Sequence, residues 1–355
     1  MSSIPRLYTP GPVPMSAEVL AIGATQVPYF RNKAFSNLML DCQHKLLDLV
    51  NAETGSKVLF FASSGTGVME ACVDNFIQKS DKALVINTGG FGQRFVDICQ
   101  RKNLDVHDAK YTVNEVINYN DFKQLEFDAL FVNACETTTG RKLDIEQSGK
   151  LCKHKGALHI VDAISAFLSD PIDMQLHNID ALIISSNKGL ALPPGLGIVI
   201  LSPKAIRNVK QSPSLYFDFK ESLKNMQRGQ TPFTPPVSII LQLQYQLTQL
   251  TQIGISNLIA QRADLVNYFR EKICHLPLKN YVNDLSNSVT ALSPLAQNAD
   301  YLVEYFERKF NLILTPSAGD LSKKVFRVAH LGHVDKAHFD VLIEALNEFY
   351  QERLS

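Results

Sequence analysis

The sequence predicts an α/β protein: a mostly parallel central sheet containing one antiparallel strand, followed by a smaller α+β unit. Three observations predict it. Short apolar, β-rich runs alternate with helix-period segments between residues 57 and 201, the pattern of a parallel sheet covered on both faces. The last of these runs, 197–201, follows Ser185 too closely for a crossover helix, so it reads as an antiparallel neighbour. Beyond Leu201 the texture changes to a proline-stiffened loop and then long helical stretches. A chain of 355 residues, at about 150 residues per domain, is long enough for two domains.

Residues 57–61 (Lys-Val-Leu-Phe-Phe) read as the first strand of that sheet. Residues 66–78 read as a helix with Val68, Cys72, Val73, Phe76 and Ile77 on one face. Residues 83–87 form the next strand, and Phe95, Ile98 and Cys99 mark the apolar stripe of the helix after it. Strands follow at 128–134, 159–163 and 181–185. Thr231 to Pro236 is an extended loop, 237 to about 276 is helical, and 312–315, 325–329 and 339–350 form the smaller unit. The expected division is an N-terminal arm over 1–20 packing on the small unit, a large unit over 21–255 and a small unit over 256–355.

Composition narrows the function classes. Lys+Arg and Asp+Glu both number 35, with no run of more than two basic residues, which argues against nucleic acid or an anionic membrane as partner. No stretch approaches the 18 or so apolar residues that span a bilayer, and the first 14 residues carry four prolines and no apolar core of a signal peptide. The six cysteines are widely spaced, without a C-x-x-C pair, so neither a zinc site nor a disulfide framework is expected. No metal and a cytoplasmic location are the expectations.

In an open α/β sheet, ligands bind at the carboxyl ends of the strands, so the residues after each strand matter most. Ala62-Ser63-Ser64-Gly65-Thr66-Gly67 opens a helix with small and hydroxyl residues. It is either a phosphate cradle at a helix N-terminus or a tight turn with an ordinary cap; it matches neither G-x-x-x-x-G-K nor G-x-G-x-x-G. Thr88-Gly89-Gly90-Phe91-Gly92 presents Phe91 either as a stacking platform for a planar ligand or as a core anchor. Glu136-Thr137-Thr138-Thr139-Gly140 offers three hydroxyls at the same edge, which turn chemistry explains equally well.

Asp162 ends an apolar strand, where an uncompensated charge is costly, and Lys188 lies just past the next strand end, 188 − 162 = 26 residues on. A salt bridge between them is one reading. The other is an imine between the lysine and a pyridoxal cofactor, with the carboxylate keeping the pyridine nitrogen protonated. The ring then accepts the electrons left when the α-proton departs, and the freed lysine amine moves that proton as base and then acid.

Taken together the motifs resemble the class V aminotransferases of fold type I, a family of pyridoxal 5′-phosphate enzymes, over essentially the whole chain. The matching pieces are Thr9-Pro10-Gly11-Pro12-Val13-Pro14, Ser64-Gly65-Thr66, Gly90-Phe91-Gly92-Gln93-Arg94, Glu136 to Gly140, Val161-Asp162-Ala163, Ser186-Asn187-Lys188 with Pro193-Pro194-Gly195, Thr234-Pro235-Pro236, and Phe326-Arg327-Val328. The resemblance implies Lys188 as the imine lysine, Asp162 as the pyridinium partner and Phe91 as the stacking ring. It implies Ser64, Gly65, Thr66 and Asn187 near the phosphate and Thr137 near the cofactor hydroxyl. Arg327 would clamp the substrate carboxylate, with Gly11 also at the substrate. It further implies a homodimer in which Thr234 reaches the partner subunit's phosphate; Thr231 stands three positions earlier, where some members carry Tyr.

The activity implied is transfer of an amino group from a small alanine- or serine-like amino acid to pyruvate or glyoxylate. A 2-aminoethylphosphonate–pyruvate transaminase is the alternative. Ser186-Asn187-Lys188, where alanine–glyoxylate-type members tend to have Ser-Gln-Lys, leans toward it, and Tyr29-Phe30-Arg31-Asn32-Lys33 leans back. A desulfurase ranks lower because Cys274, the one cysteine after residue 152, falls inside an expected helix. A nicotinamide dehydrogenase lacks its glycine fingerprint, and a catalytically silent relative is disfavoured by intact Lys188, Asp162 and Arg327. His330 and His333 are read as surface groups.

Overall fold

The computed structural model describes residues 4–295 and 297–354. The central sheet has seven strands: β1 (Lys57–Phe61), β2 (Lys82–Asn87), β3 (Asp105–Lys110), β4 (Ala129–Asn133), β5 (Leu158–Asp162), β6 (Ala181–Ser185) and β7 (Gly197–Leu201). Their spatial order is β1-β7-β6-β5-β4-β2-β3, and β7 runs antiparallel to both neighbours while the other pairs are parallel. β4 to β7 are buried at every residue, which is why they read as unbroken apolar runs. Because β7 alone is reversed, β1, β2, β4, β5 and β6 all end at the same edge.

β3 escapes the sequence reading. Its residues, Asp-Val-His-Asp-Ala-Lys, are largely exposed because it is an edge strand with one neighbour, and that solvated row has no hydrophobic signature. The expected helical stretch after Pro236 is two helices, Val237–Ile253 and Ile255–Lys272, broken at Gly254 with φ +84. Cys274 lies past the end of the second helix and is exposed, not inside it as expected. Leu276 and Ile273 turn inward beside it, which is why the segment keeps an apolar look.

A second sheet is antiparallel throughout: β8 (Leu278–Asn280), β9 (Val289–Pro294), β10 (Thr315–Pro316) and β11 (Phe326–Ala329), in the order β8-β9-β11-β10. One hydrophobic cluster gathers residues between Val19 and Leu250, and another gathers Tyr8 with residues between Leu265 and Tyr350. The arm enters the second cluster as a short parallel strand, Arg6–Leu7 against Leu312–Ile313; residues 1–3 lie outside the described residues. Tyr8 continues it, donating N–H to Ile313 O at 2.9 Å and accepting from Ala329 N at 2.8 Å. His330 is not a surface group: its ring is fully buried between Phe269 and Phe339 and pairs with Thr290 Oγ1 at 2.8 Å. His333 is exposed.

Candidate active site

Two helices begin at the common strand edge, α1 (Gly65–Phe76) after β1 and α2 (Gly90–Arg101) after β2. Ser64 caps α1, its Oγ accepting from Gly67 N at 3.4 Å. Gly65 allows the helix to start against the loop after β5; a Cβ there would lie 2.4 Å from Ile164 Cδ1. α2 starts on Gly89 without a side-chain cap of its own. A remote carboxylate supplies one: Glu136 Oε2 accepts from Phe91 N at 3.0 Å and Gly92 N at 3.1 Å. Its Oε1 accepts from Thr138 N and from Thr138 Oγ1 at 2.6 Å. The sequence reading took Glu136 only as part of the threonine turn; its signal was a helix starting on two glycines, with no capping side chain at position 89 itself.

Phe91 is half-buried and lies outside the hydrophobic cluster that its neighbour Phe95 anchors, so it is no core residue. The hydroxyls of Thr138 and Thr139 are spent on the turn, on Glu136 Oε1 and Glu136 O. That of Thr137 pairs with Ser165 Oγ at 2.7 Å.

Asp162 is the last residue of β5, opposite Asn133 in the β4 register. Asn133 Nδ2 donates to its Oδ2 at 2.6 Å and Ile164 N to its Oδ1 at 2.8 Å. Burial nevertheless pushes its carboxyl up from 3.8 to about 6, against those hydrogen bonds. Lys188 is held down at about 8, first by burial and then by the like charge of Arg327; Asp162 pulls the other way. The two are within electrostatic reach, yet no ion pair joins them among the described residues. The salt-bridge reading is therefore not what the geometry shows. Asn187 Oδ1 accepts from Ser185 Oγ at 3.2 Å.

The arm closes over this group. Gly11 has φ +147, and a Cβ on it would lie 2.7 Å from Lys188 Nζ, so only glycine fits there. From the other sheet, Arg327 of β11 is fixed by donating to Thr137 O at 3.2 Å and Pro316 O at 2.9 Å, while its buried Nε has no partner. Cys135 is the thiol near Lys188 and Arg327; burial raises it to about 12, a protonated thiol rather than a nucleophile.

Thr234 makes no hydrogen bond with Lys188 among the described residues. It is exposed on a loop that stands beside the end of β1, where Phe233 stacks on Tyr216 at 5.2 Å. Arg31 fixes the loop by donating to Thr231 O at 2.6 Å and Pro232 O at 3.2 Å, a role the sequence reading did not assign.

The sequence matches the profile of the aminotransferase class-V family over residues 25–309. The chain belongs to that family. It is 31% identical to the soluble hydrogenase 42 kDa subunit of Anabaena cylindrica over 92% of this chain and 88% of that one. It is 30% identical to the serine–glyoxylate aminotransferase of Hyphomicrobium methylovorum over 95% and 87%. The structure superposes on the aspartate aminotransferase of Thermus thermophilus with a TM-score of 0.90, at 26% identity, covering 97% of this chain and 99% of the other. This class V aminotransferase is an enzyme whose cofactor is pyridoxal 5′-phosphate. The site fits that cofactor: Asp162 is a buried carboxylate with no cation paired to it, Arg327 keeps an unmatched buried donor, and α1 offers an N-terminus built for an anion.

Proposed function

We propose that this aminotransferase takes its amino group from a small alanine- or serine-like amino acid and delivers it to a small 2-oxo acid, pyruvate or glyoxylate. The observation that carries the reading is the Gly11 arm lying against Lys188, with the buried guanidinium of Arg327 within electrostatic reach of that lysine and its Nε free. One guanidinium and a glycine approaching the lysine suit a substrate with one carboxylate and little side chain.

Ser64, Gly65, Thr66 and Asn187 would hold the phosphate, Phe91 would lie on the ring face, and Thr137 would stand near the ring hydroxyl. When bound, pyridoxal phosphate supplies an aldehyde that condenses with amines and a ring that accepts the electrons released at the α-carbon. Asp162 holds a proton at the ring nitrogen; its own reluctance to ionise is relieved once a cation faces it. Lys188 Nζ, whose protonated form is disfavoured by burial and by the Arg327 charge, takes up and returns the α-proton. Arg327 orients the substrate through its carboxylate, with Nη1 and Nη2 each anchored to a backbone carbonyl and Nε left open.

The working unit in this proposal is a homodimer in the cytoplasm, with residues 21–255 as the cofactor-binding unit, 256–355 as the small unit and 1–20 as its arm. Leu215, Tyr216, Phe233 and Tyr29 are exposed apolar residues on the segments around the Thr234 loop, consistent with a partner covering them. Among the described residues no helix is long and apolar enough to cross a membrane. No nucleic-acid partner is proposed.

A half-reaction screen tests the substrate assignment. The yellow holoenzyme is mixed with alanine, serine, aspartate or 2-aminoethylphosphonate, and loss of the cofactor band is followed; pyruvate or glyoxylate is then added to restore it. Alanine or serine is expected to react first. Faster conversion by 2-aminoethylphosphonate moves the assignment to that donor, and no conversion by any of them refutes the proposed reaction. Size-exclusion chromatography with a Thr234→Val variant tests the shared site: a fully active wild-type monomer would remove it.

A further inference from the structure

We propose that Arg94 is a positioning residue that ties the aromatic platform Phe91 to the phosphate-binding turn, and thereby makes cofactor binding depend on the phosphate. This rests on the placement of the cofactor given above. Phe91 and Arg94 are three residues apart on the first turns of α2, so they share a face. The Arg94 guanidinium lies 4.6 Å from the centroid of the Phe91 ring, a cation–π stack. The same guanidinium donates from Nη1 to Thr66 Oγ1 at 2.8 Å, across to the second residue of α1. One side chain therefore joins the starts of the two helices that border the site.

Two consequences follow for an anion at the start of α1. A hydroxyl has one proton to give. Because Thr66 Oγ1 accepts from Arg94, its own proton is left to donate outward, and the charge-assisted bond polarises it as a donor. Arg94 also brings a full positive charge beside a helix N-terminus that already carries partial positive charge, and it makes no ion pair among the described residues. Its field reaches Lys188, where it works against protonation. Two cations share this edge while Glu136 is committed to the start of α2, and a phosphate at α1 supplies the missing negative charge. Glu136 accepts from the first backbone N–H groups of α2, and Arg94 ties the same turn to Thr66. The ring that faces the cofactor is thus set by residues that also hold its phosphate turn.

The test uses ligands that differ only in the phosphate. Cofactor-stripped protein is titrated with pyridoxamine 5′-phosphate and with pyridoxamine, following intrinsic fluorescence or calorimetry. Arg94→Met is expected to weaken the phosphorylated ligand by about tenfold to a hundredfold, the range for losing a hydrogen bond to a charged group, and to leave pyridoxamine nearly unchanged. Arg94→Lys, which keeps the charge, is expected to recover most of the loss. Equal weakening of both ligands would mark Arg94 as a merely structural support and overturn the proposal, as would no weakening of either. Should Arg94→Met fail to fold, Arg94→Gln gives the same comparison, with the same phosphate-selective loss expected. Wild-type protein with no preference for the phosphorylated ligand would bring down the underlying placement of the phosphate itself; variants that match a discriminating wild type bring down only the role of Arg94.

Discussion

Replacing Asp162 with Asn in the cofactor-free protein is expected to make it more stable at neutral pH while damaging cofactor retention. The carboxyl rises from 3.8 to about 6 because it is buried without a cation, and that rise corresponds to about 3 kcal/mol of native-state cost once the group is ionised. Below pH 3.8 the acid is protonated in both folded and unfolded chains and costs nothing. As pH climbs through 6 the unfolded chain gives up its proton first, so stability is lost over that window and the full cost is present above it. The introduced amide has a place to go: its oxygen can keep the bond from Ile164 N, and its NH₂ can meet Asn133 Oδ1, a buried acceptor without a partner, once the Asn133 amide turns over. Urea unfolding of stripped wild type and D162N at several pH values measures this. The variant should gain about 1–3 kcal/mol at pH 8, and the gain should shrink toward zero near pH 4. A difference that does not change with pH, or a variant less stable at pH 8, would refute the account of Asp162 as an uncompensated buried charge. In the same samples, D162N should load pyridoxal phosphate more weakly, since the ring nitrogen loses its anionic partner.

Lys188→Ala should abolish the lysine-linked absorbance band; a wild type that stays colourless after pyridoxal phosphate is added would overturn the site. Arg327→Ala should weaken carboxylate substrates by about 2–5 kcal/mol, as for loss of a buried charge partner, and an unchanged apparent affinity would remove Arg327 from substrate binding. Thiol titration of the native protein at pH 8 should count one fast-reacting group, Cys274, because the other five cysteines are buried; two or more fast thiols would contradict the packing around Cys135.

Six of the seven strands of the central sheet, and the residues that stand at their ends, were legible locally. β4 to β7 are covered on both faces, so their apolar character is continuous, and the parallel topology brings Ser64, Phe91, Thr137, Asp162 and Lys188 to one edge without any further information. β3 was not legible, because an edge strand with solvated side chains has no apolar period. Only the tertiary structure decided that Glu136 caps α2 from 45 residues away, that Arg94 bonds Thr66 across 28, and that the Gly11 arm lies on Lys188. It also decided that His330 is buried while Cys274 is exposed. Each of these depends on contacts between residues distant in the chain, and local periodicity records which face a residue prefers but not which remote group will meet it there.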